Sequence, residues 1–256
     1  MGSKTDVAIT SGGLRLQGQL CRPGREDEQV GALQALLLCH GFPAGPRGDA
    51  ESGQTYAQLA ERLAQEAGWA VLAVDFRGMG DSEGDFSLGG WMADLRAAID
   101  YLVALPGLAG VWLAGFSAGG SLAICAAGED ERVSGAASLG APADFGDWAA
   151  DPTALADEAR RLGLIRSPDF PPDPPSWARE LRELRPLALA GKIPPRPLLI
   201  VHGADDDVVP PADARALVDA AQGQADLRML AGAGHRLRHD PRAIAVLLGW
   251  LERLVS

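Results

Sequence analysis

Residues 111–120 read Val111-Trp112-Leu113-Ala114-Gly115-Phe116-Ser117-Ala118-Gly119-Gly120, and the reading of this stretch decides the fold. A short apolar run stops at a serine boxed in by small residues, and Ser121 to Ala127 continues as a helix-forming segment. That is strand, sharp turn, helix, with Gly115-Phe116-Ser117-Ala118-Gly119 fitting the G-x-S-x-G pattern of a nucleophile elbow. The spacing has a steric reason. A hydroxyl at the tip of so tight a turn needs a strained backbone, and the residues two before and two after it must lack side chains. The plainer alternative is a glycine-rich turn with an ordinary serine, so the rest of the chain has to decide.

Outward from this stretch, strand-like and helix-like segments alternate. Leu33 to Cys39 is an almost unbroken apolar run, as expected of a strand buried on both faces of a parallel sheet. Trp69–Val74, Val133–Leu139, Leu198–Val201 and Leu227–Leu230 read as further strands. Helices are expected from Tyr56 to a stop at Gly68, over Trp91–Leu105 up to Pro106-Gly107, over Ala212–Ala221 and from Pro241 to about Leu254. Residues 7–10 and 14–21 alternate around Gly12-Gly13, the pattern of a hairpin that adds antiparallel edge strands. Arg22–Gln29 and Ala44–Gly53 read as loops. The result is an α/β protein with a mostly parallel, eight-stranded sheet covered by helices on both faces.

Residues 143–195 break the alternation. They contain no convincing buried strand, only helix-like pieces at Pro152–Leu164 and Ser176–Leu189, joined by Ser167-Pro168-Asp169-Phe170-Pro171-Pro172-Asp173-Pro174-Pro175. A structureless connection of that length does not fit inside a compact core. The segment therefore reads as a helical cap inserted into a core domain made of residues 1–142 and 196–256. Trp148, Phe170 and Trp177 are candidates either to face a pocket or to pin the insertion to the domain.

Composition removes several function classes. The 256 residues carry a net charge of −11, with arginines interspersed among acids, so no phosphate-neutralising patch for nucleic acid is present. The three cysteines, Cys21, Cys39 and Cys125, match neither a disulfide framework nor a metal site, and Cys39 and Cys125 read as small core residues. No H-E-x-x-H or Cys/His cluster points to a metal, and no cofactor is expected. Gly78, Gly80 and Gly84 fail the dinucleotide pattern because position 83 is Glu. The N-terminus lacks an apolar signal core and no run approaches the ~20 residues of a membrane span, so a cytoplasmic protein with no membrane partner is expected.

In open parallel sheets, ligands bind at the carboxyl ends of the strands. Here those ends carry His40-Gly41-Phe42, Ser117, Asp205-Asp206-Asp207 and Gly232-Ala233-Gly234-His235. A serine needs a general base to lose its proton, and an imidazole needs a carboxylate to fix its tautomer and stabilise its charged form. Hydrolysis also needs paired N–H donors for the carbonyl oxygen. Ala118, at the start of the helix after Ser117, supplies one. Pro43 has no N–H, so Phe42 is the natural second donor, with its ring on the acyl side of the pocket.

These motifs, with Asp75-Phe76-Arg77-Gly78-Met79-Gly80-Asp81-Ser82 and Gly203 to Pro210, carry a resemblance. The sequence resembles the α/β-hydrolase superfamily over nearly its whole length, and within it the small serine esterases of the feruloyl- and cinnamoyl-esterase type and their serine-aminopeptidase-like relatives. The resemblance implies an α/β-hydrolase fold and a Ser117, Asp206, His235 triad in the chain order serine, acid, histidine. The family pattern G-x-x-D-x-x-V-P selects Asp206. Asp205 and Asp207 are then solvated loop carboxylates, one of them available to cap the helix at Ala212. Asp144, after the sixth strand, is the rarer alternative acid. His40 is expected to be structural under the loop, His202 buried and hydrogen-bonded, and His239 a surface residue.

The expected function is hydrolysis of a small-molecule carboxylic ester through a covalent acyl-enzyme. Phe42, Phe116 and the tryptophans suggest an apolar or aromatic acyl group, with no basic residue evidently placed to read a charged one. Amide, thioester or carbon–carbon cleavage on the same triad, or a low-turnover binding protein on this fold, are the alternatives, since fold alone does not settle function.

Overall fold

The structure is a computed structural model that describes residues 2–24, 32–43 and 55–255. The expected loop at Ala44–Gly53 and most of the one at Arg22–Gln29 lie outside the described residues. Eight strands form one sheet: β1 (Ser3–Ser11), β2 (Leu14–Arg22), β3 (Leu33–Cys39), β4 (Ala70–Val74), β5 (Leu108–Phe116), β6 (Val133–Leu139), β7 (Leu198–Gly203) and β8 (Asp226–Leu230). Their order across the sheet is β1-β2-β4-β3-β5-β6-β7-β8. The hairpin β1–β2 is antiparallel and joins β4 antiparallel, whereas β4 and β3 and the strands from β5 to β8 run parallel. The short apolar runs of β3, β4 and β7 are buried on both faces because helices cover both sides.

One face carries α1 (Tyr56–Ala67) and α9 (Pro241–Arg253), whose apolar sides close over Trp69, Trp112 and Trp250. The other carries α2 (Leu88–Ala104), α3 (Ala118–Glu129) and α8 (Pro211–Ala220). In α3 every residue from Ala118 to Ala127 is buried. Its small side chains let the helix lie close to the sheet, directly behind the turn at Ser117.

The insertion differs from expectation in detail. It contains α4 (Gly146–Ala150), a helix too short to leave a periodic trace, then α5 (Pro152–Arg161) and α6 (Pro174–Glu183). The helix expected over 176–189 is broken, because Pro186 restricts Arg185 to extended backbone and opens a separate α7 (Pro186–Ala190). The carbonyl of Leu189 in α7 lies against Gly128 of α3, so this last piece packs into the body and not over the sheet edge.

Candidate active site

The turn after β5 has the strained geometry expected of an elbow. Ser117 has φ 52° and ψ −129°, one of two non-glycine residues at positive φ among the described residues. A Cβ on Gly115 would run into the carbonyl of Gly119, and one on Gly119 would meet the carbonyls of Cys39 and His40. Side chains at either position would push α3 off the sheet, which is why this stretch tolerates only glycine there.

The chain around the sheet edge brings two groups to Ser117. The loop after β8 carries His235, whose Nε2 lies 3.0 Å from Ser117 Oγ. The loop after β7 carries Asp206, whose Oδ2 lies 2.9 Å from His235 Nδ1. A carboxylate only accepts, so Nδ1 carries the hydrogen and Nε2 is left to accept from the serine hydroxyl. Asp206 is held in turn: its Oδ1 accepts from the backbone N–H groups of Val208 at 3.0 Å and Val209 at 2.9 Å. His202 is fully buried beneath this loop and contacts Val209 O through Nε2 at 3.0 Å.

The neighbouring acids fall where their surroundings dictate. Asp205 and Asp207 are exposed, but neither caps α8, whose N-cap is Pro210 with no side-chain hydrogen bond. Asp144 is also exposed and accepts from Gly146 N at 2.6 Å, which closes a local turn. Both observations leave Asp206 as the carboxylate in line with His235. His239 is half-buried and in contact with Arg238, not a plain surface residue.

The loop after β3 lies against the elbow. A Cβ on Gly41 would come within 2.8 Å of Phe116 O and 2.9 Å of Ser117 Cβ, so only the bare backbone fits there. His40 explains how that backbone is aimed. Its Nε2 accepts from Phe76 N–H at 2.9 Å, and its Nδ1–H donates to Gly41 O at 3.1 Å. The Gly41–Phe42 peptide is planar and trans, so holding the carbonyl on one side turns the Phe42 N–H to the other. No backbone acceptor takes up that N–H among the described residues. Ala118 N–H is an orphan donor of the first turn of α3. Burial among Tyr56, Phe76 and Trp91 lowers the His40 pKa, partly offset by the charge of Asp75.

The described residues bound a cleft of about 850 Å³ that includes Ser117, His235, Phe42 and Phe116. Met79, Leu162 and Leu164 add apolar wall. Trp148, Phe170 and Trp177 do not line it. Trp148 packs edge-on to Phe42 at 5.3 Å and against Phe145 at 5.2 Å, and Trp177 is buried against Phe86. Phe170 is half-buried against the core, with its carbonyl accepting from Arg160 at 2.7 Å. All three pin the insertion to the domain.

Basic residues are present after all: Arg166, Arg236 and Arg238 line the cleft, and Arg238 lies 4.8 Å over the Tyr56 ring. Arg236 and Arg238 stand one and three residues after His235 in the chain. All three cysteines are buried thiols, and burial pushes Cys125 up to about 12. Among the described residues no cluster of His, Cys, Asp or Glu has the arrangement to hold a metal, and no helix is long and apolar enough to cross a membrane.

A parallel sheet crowned by a serine elbow, an acid loop and a histidine loop in this order defines a class. A model of the alpha/beta hydrolase family matches residues 36–247, and the chain belongs to that family. No curated protein matches the sequence at a significant level. Among solved structures, the chain is similar to Est1E from Butyrivibrio proteoclasticus at 21% identity, covering 98% of this chain and 97% of that one with a TM-score of 0.71. The esterase domain from a Rhodothermus marinus protein matches at 23% identity, 99% and 98% coverage and a TM-score of 0.69. The Pyrococcus furiosus esterase Pf2001 matches at 19%, 100% and 92%, and 0.68. At such identities the likeness is one of fold.

Proposed function

We infer that the protein is a serine hydrolase that cleaves a carboxylic ester through a covalent acyl-enzyme, with a small apolar or aromatic acyl group as its substrate. The observation that carries this reading is the unbroken line from Asp206 Oδ2 to His235 Nδ1 and from His235 Nε2 to Ser117 Oγ, at 2.9 and 3.0 Å, ending on a residue held at φ 52°. Ser117 attacks the ester carbonyl while His235 Nε2 takes its proton, and Asp206 stabilises the imidazolium that forms. The carbonyl oxygen becomes an oxyanion between the N–H groups of Phe42 and Ala118. His235 then gives its proton to the leaving alkoxide, and water, activated by the same imidazole, frees the acid. Phe42, Phe116, Met79 and Leu162, which line the same cleft as the serine, support an apolar acyl group. Est1E, similar in fold, has been solved with ferulic acid bound, which is in keeping with an aromatic acyl group here.

The test is multiple turnover of a chromogenic short-chain ester. Ser117→Ala is expected to lower kcat by about 10⁴-fold or more. A wild-type protein that turns over no ester, or a mutant that keeps its rate, sinks the reading.

A further inference from the structure

One wall of the cleft is a seam between two chain segments far apart in sequence. The loop after β4 contributes Gly78, Met79 and Gly80, and the end of α5 and the segment after it contribute Leu162, Leu164 and Arg166. They touch backbone to backbone: Phe86 N–H donates to Leu164 O at 2.9 Å, and a Cβ on Gly78 would collide with that same carbonyl. The seam is fastened from both sides. From the insertion, the Arg166 guanidinium donates to Gly78 O at 3.0 Å, Gly80 O at 2.7 Å and Ser82 O at 3.2 Å, and through Nε to Gly163 O at 3.1 Å. From the loop, Asp85 Oδ1 accepts from the backbone N–H groups of Arg166 at 2.5 Å and Ser167 at 3.0 Å.

The carbonyls of Gly78 and Gly80 accept from no other backbone N–H among the described residues. Four acceptors at one guanidinium suit the fixed fork of arginine, which an ammonium does not reproduce. Arg166 is itself exposed, so it fills no core, and its guanidinium is spent on these four carbonyls. Met79 on the loop and Leu162 on the insertion line the cleft from the two segments that Arg166 ties together.

We propose that Arg166, with Asp85 as its counterpart, is a positioning residue that sets the width of this wall and so the size of the acyl group the cleft accepts. The proposal rests on the ester-hydrolase reading above. Arg166→Met keeps most of the apolar stem and removes the donors, whereas Arg166→Lys keeps the charge and some donors without the planar fork. The measurement is kcat/KM for p-nitrophenyl acetate and p-nitrophenyl decanoate, normalised to sites titrated with a fluorophosphonate. In Arg166→Met the decanoate-to-acetate ratio is expected to rise by about tenfold, a size step typical of steric discrimination in apolar pockets. The change comes through KM for the long ester, and Arg166→Lys falls between. Asp85→Ala frees the seam from the other side and shifts the ratio in the same direction, which keeps the test valid if the Arg166 variants do not fold.

A ratio that stays within about twofold of wild type, or one that holds while both esters lose activity together, overturns the proposal and leaves the hydrolase reading standing. A wild-type protein inactive on both esters sinks that reading, and this inference with it.

Discussion

The floor and the roof of the cleft are held by different kinds of interaction. On the floor, the groups around Ser117 are placed at strand ends by short local contacts: the elbow by glycine contacts with β3, Asp206 by two N–H groups of its own turn, and the Gly41–Phe42 peptide by the buried ring of its neighbour His40. The roof, the part of residues 143–195 ahead of α7, meets the loop after β4 in a backbone bond from Phe86 N–H to Leu164 O and is further fastened by side chains that reach across to backbone. Arg166 grips the loop after β4 and Glu180 accepts from Gly89 N at the start of α2 at 3.2 Å, while within the roof Arg182 ties α6 to α4 by donating to Ala149 O at 2.7 Å. A backbone contact has no slack, whereas a side-chain tether can lengthen or be replaced. The floor is therefore expected to fail abruptly under substitution and the roof gradually.

Gly119→Ala is the largest expected break. Its Cβ would meet two carbonyls at the end of β3, neither able to move without moving the sheet. The soluble fraction is expected to lose activity by about 10²-fold or more, because displacing a catalytic group by even ~1 Å from productive geometry costs about 10². Near-normal turnover per folded molecule would break the view of the floor as rigid.

His40→Leu comes next. It removes the donor to Gly41 O and the acceptor for Phe76 N–H, so the Phe42 N–H loses its aim. Loss of one oxyanion donor costs about 10² to 10³ in kcat, and a fall of about 10² with little change in KM is expected. His40→Asn, able to donate near the Nδ1 position, is expected to recover part of it. Because burial lowers the His40 pKa, the unfolded chain takes up the proton first. The ring's contribution to stability is thus complete above the ordinary histidine value near 6.5 and declines as pH falls below it.

Trp148→Ala probes the roof. The ring packs on Phe42 and Phe145 but lies outside the cleft lining. A loss of about 2–3 kcal/mol in stability is expected for a half-buried aromatic, below the fully buried range, with kcat on acetate esters changed by less than about threefold. A urea melt with parallel kinetics checks this. If kcat falls as far as in His40→Leu, Trp148 belongs to the floor and the division is drawn in the wrong place.

The same division explains what was legible in the chain. The strand-end groups follow rules written in residue type and spacing: glycines two away from Ser117, an acid three beyond Gly203, and a proline after Phe42 that leaves only one N–H to use. The parallel sheet followed from the apolar runs of Leu33–Cys39 and Val133–Leu139, both found as strands at those bounds. The roof obeys no such rules. An apolar ring such as Trp177 reads the same whether it faces a ligand or Phe86, and only the packing decides. Arg166 and Asp85 bind carbonyl and N–H groups that every residue possesses, so no pattern marks their partners. The cleft arginines beside His235 were visible as residues, but their direction depends on how the 3-10 turn Leu237–His239 folds back.

The smallest effect belongs to the roof's second tether. Burial raises the pKa of Glu180 above the ordinary glutamate value, and the negative charge of Glu183 adds to this. The bonds from Gly89 N–H and Ser87 and the charge of Arg77 pull the other way. A carboxyl whose folded pKa is raised binds its proton more readily in the native state, so its contribution is fullest below about 4.5 and is lost as pH rises through the folded value. At neutral pH the tether thus holds an ionised group in a setting that disfavours the charge. Glu180→Gln keeps an oxygen for Gly89 N–H without ionising. It is expected to leave kcat unchanged and to raise stability at pH 7 by less than about 1 kcal/mol, or less than about 4 °C in Tm for a chain of this size. The gain is expected to shrink toward pH 4. The opposite trend, with the variant gaining most in acid, would mean that the Glu180 charge holds the roof down. Glu180 would then act like Asp85, whose carboxyl is held below its usual range despite burial by bonds from Ser167 and Arg166.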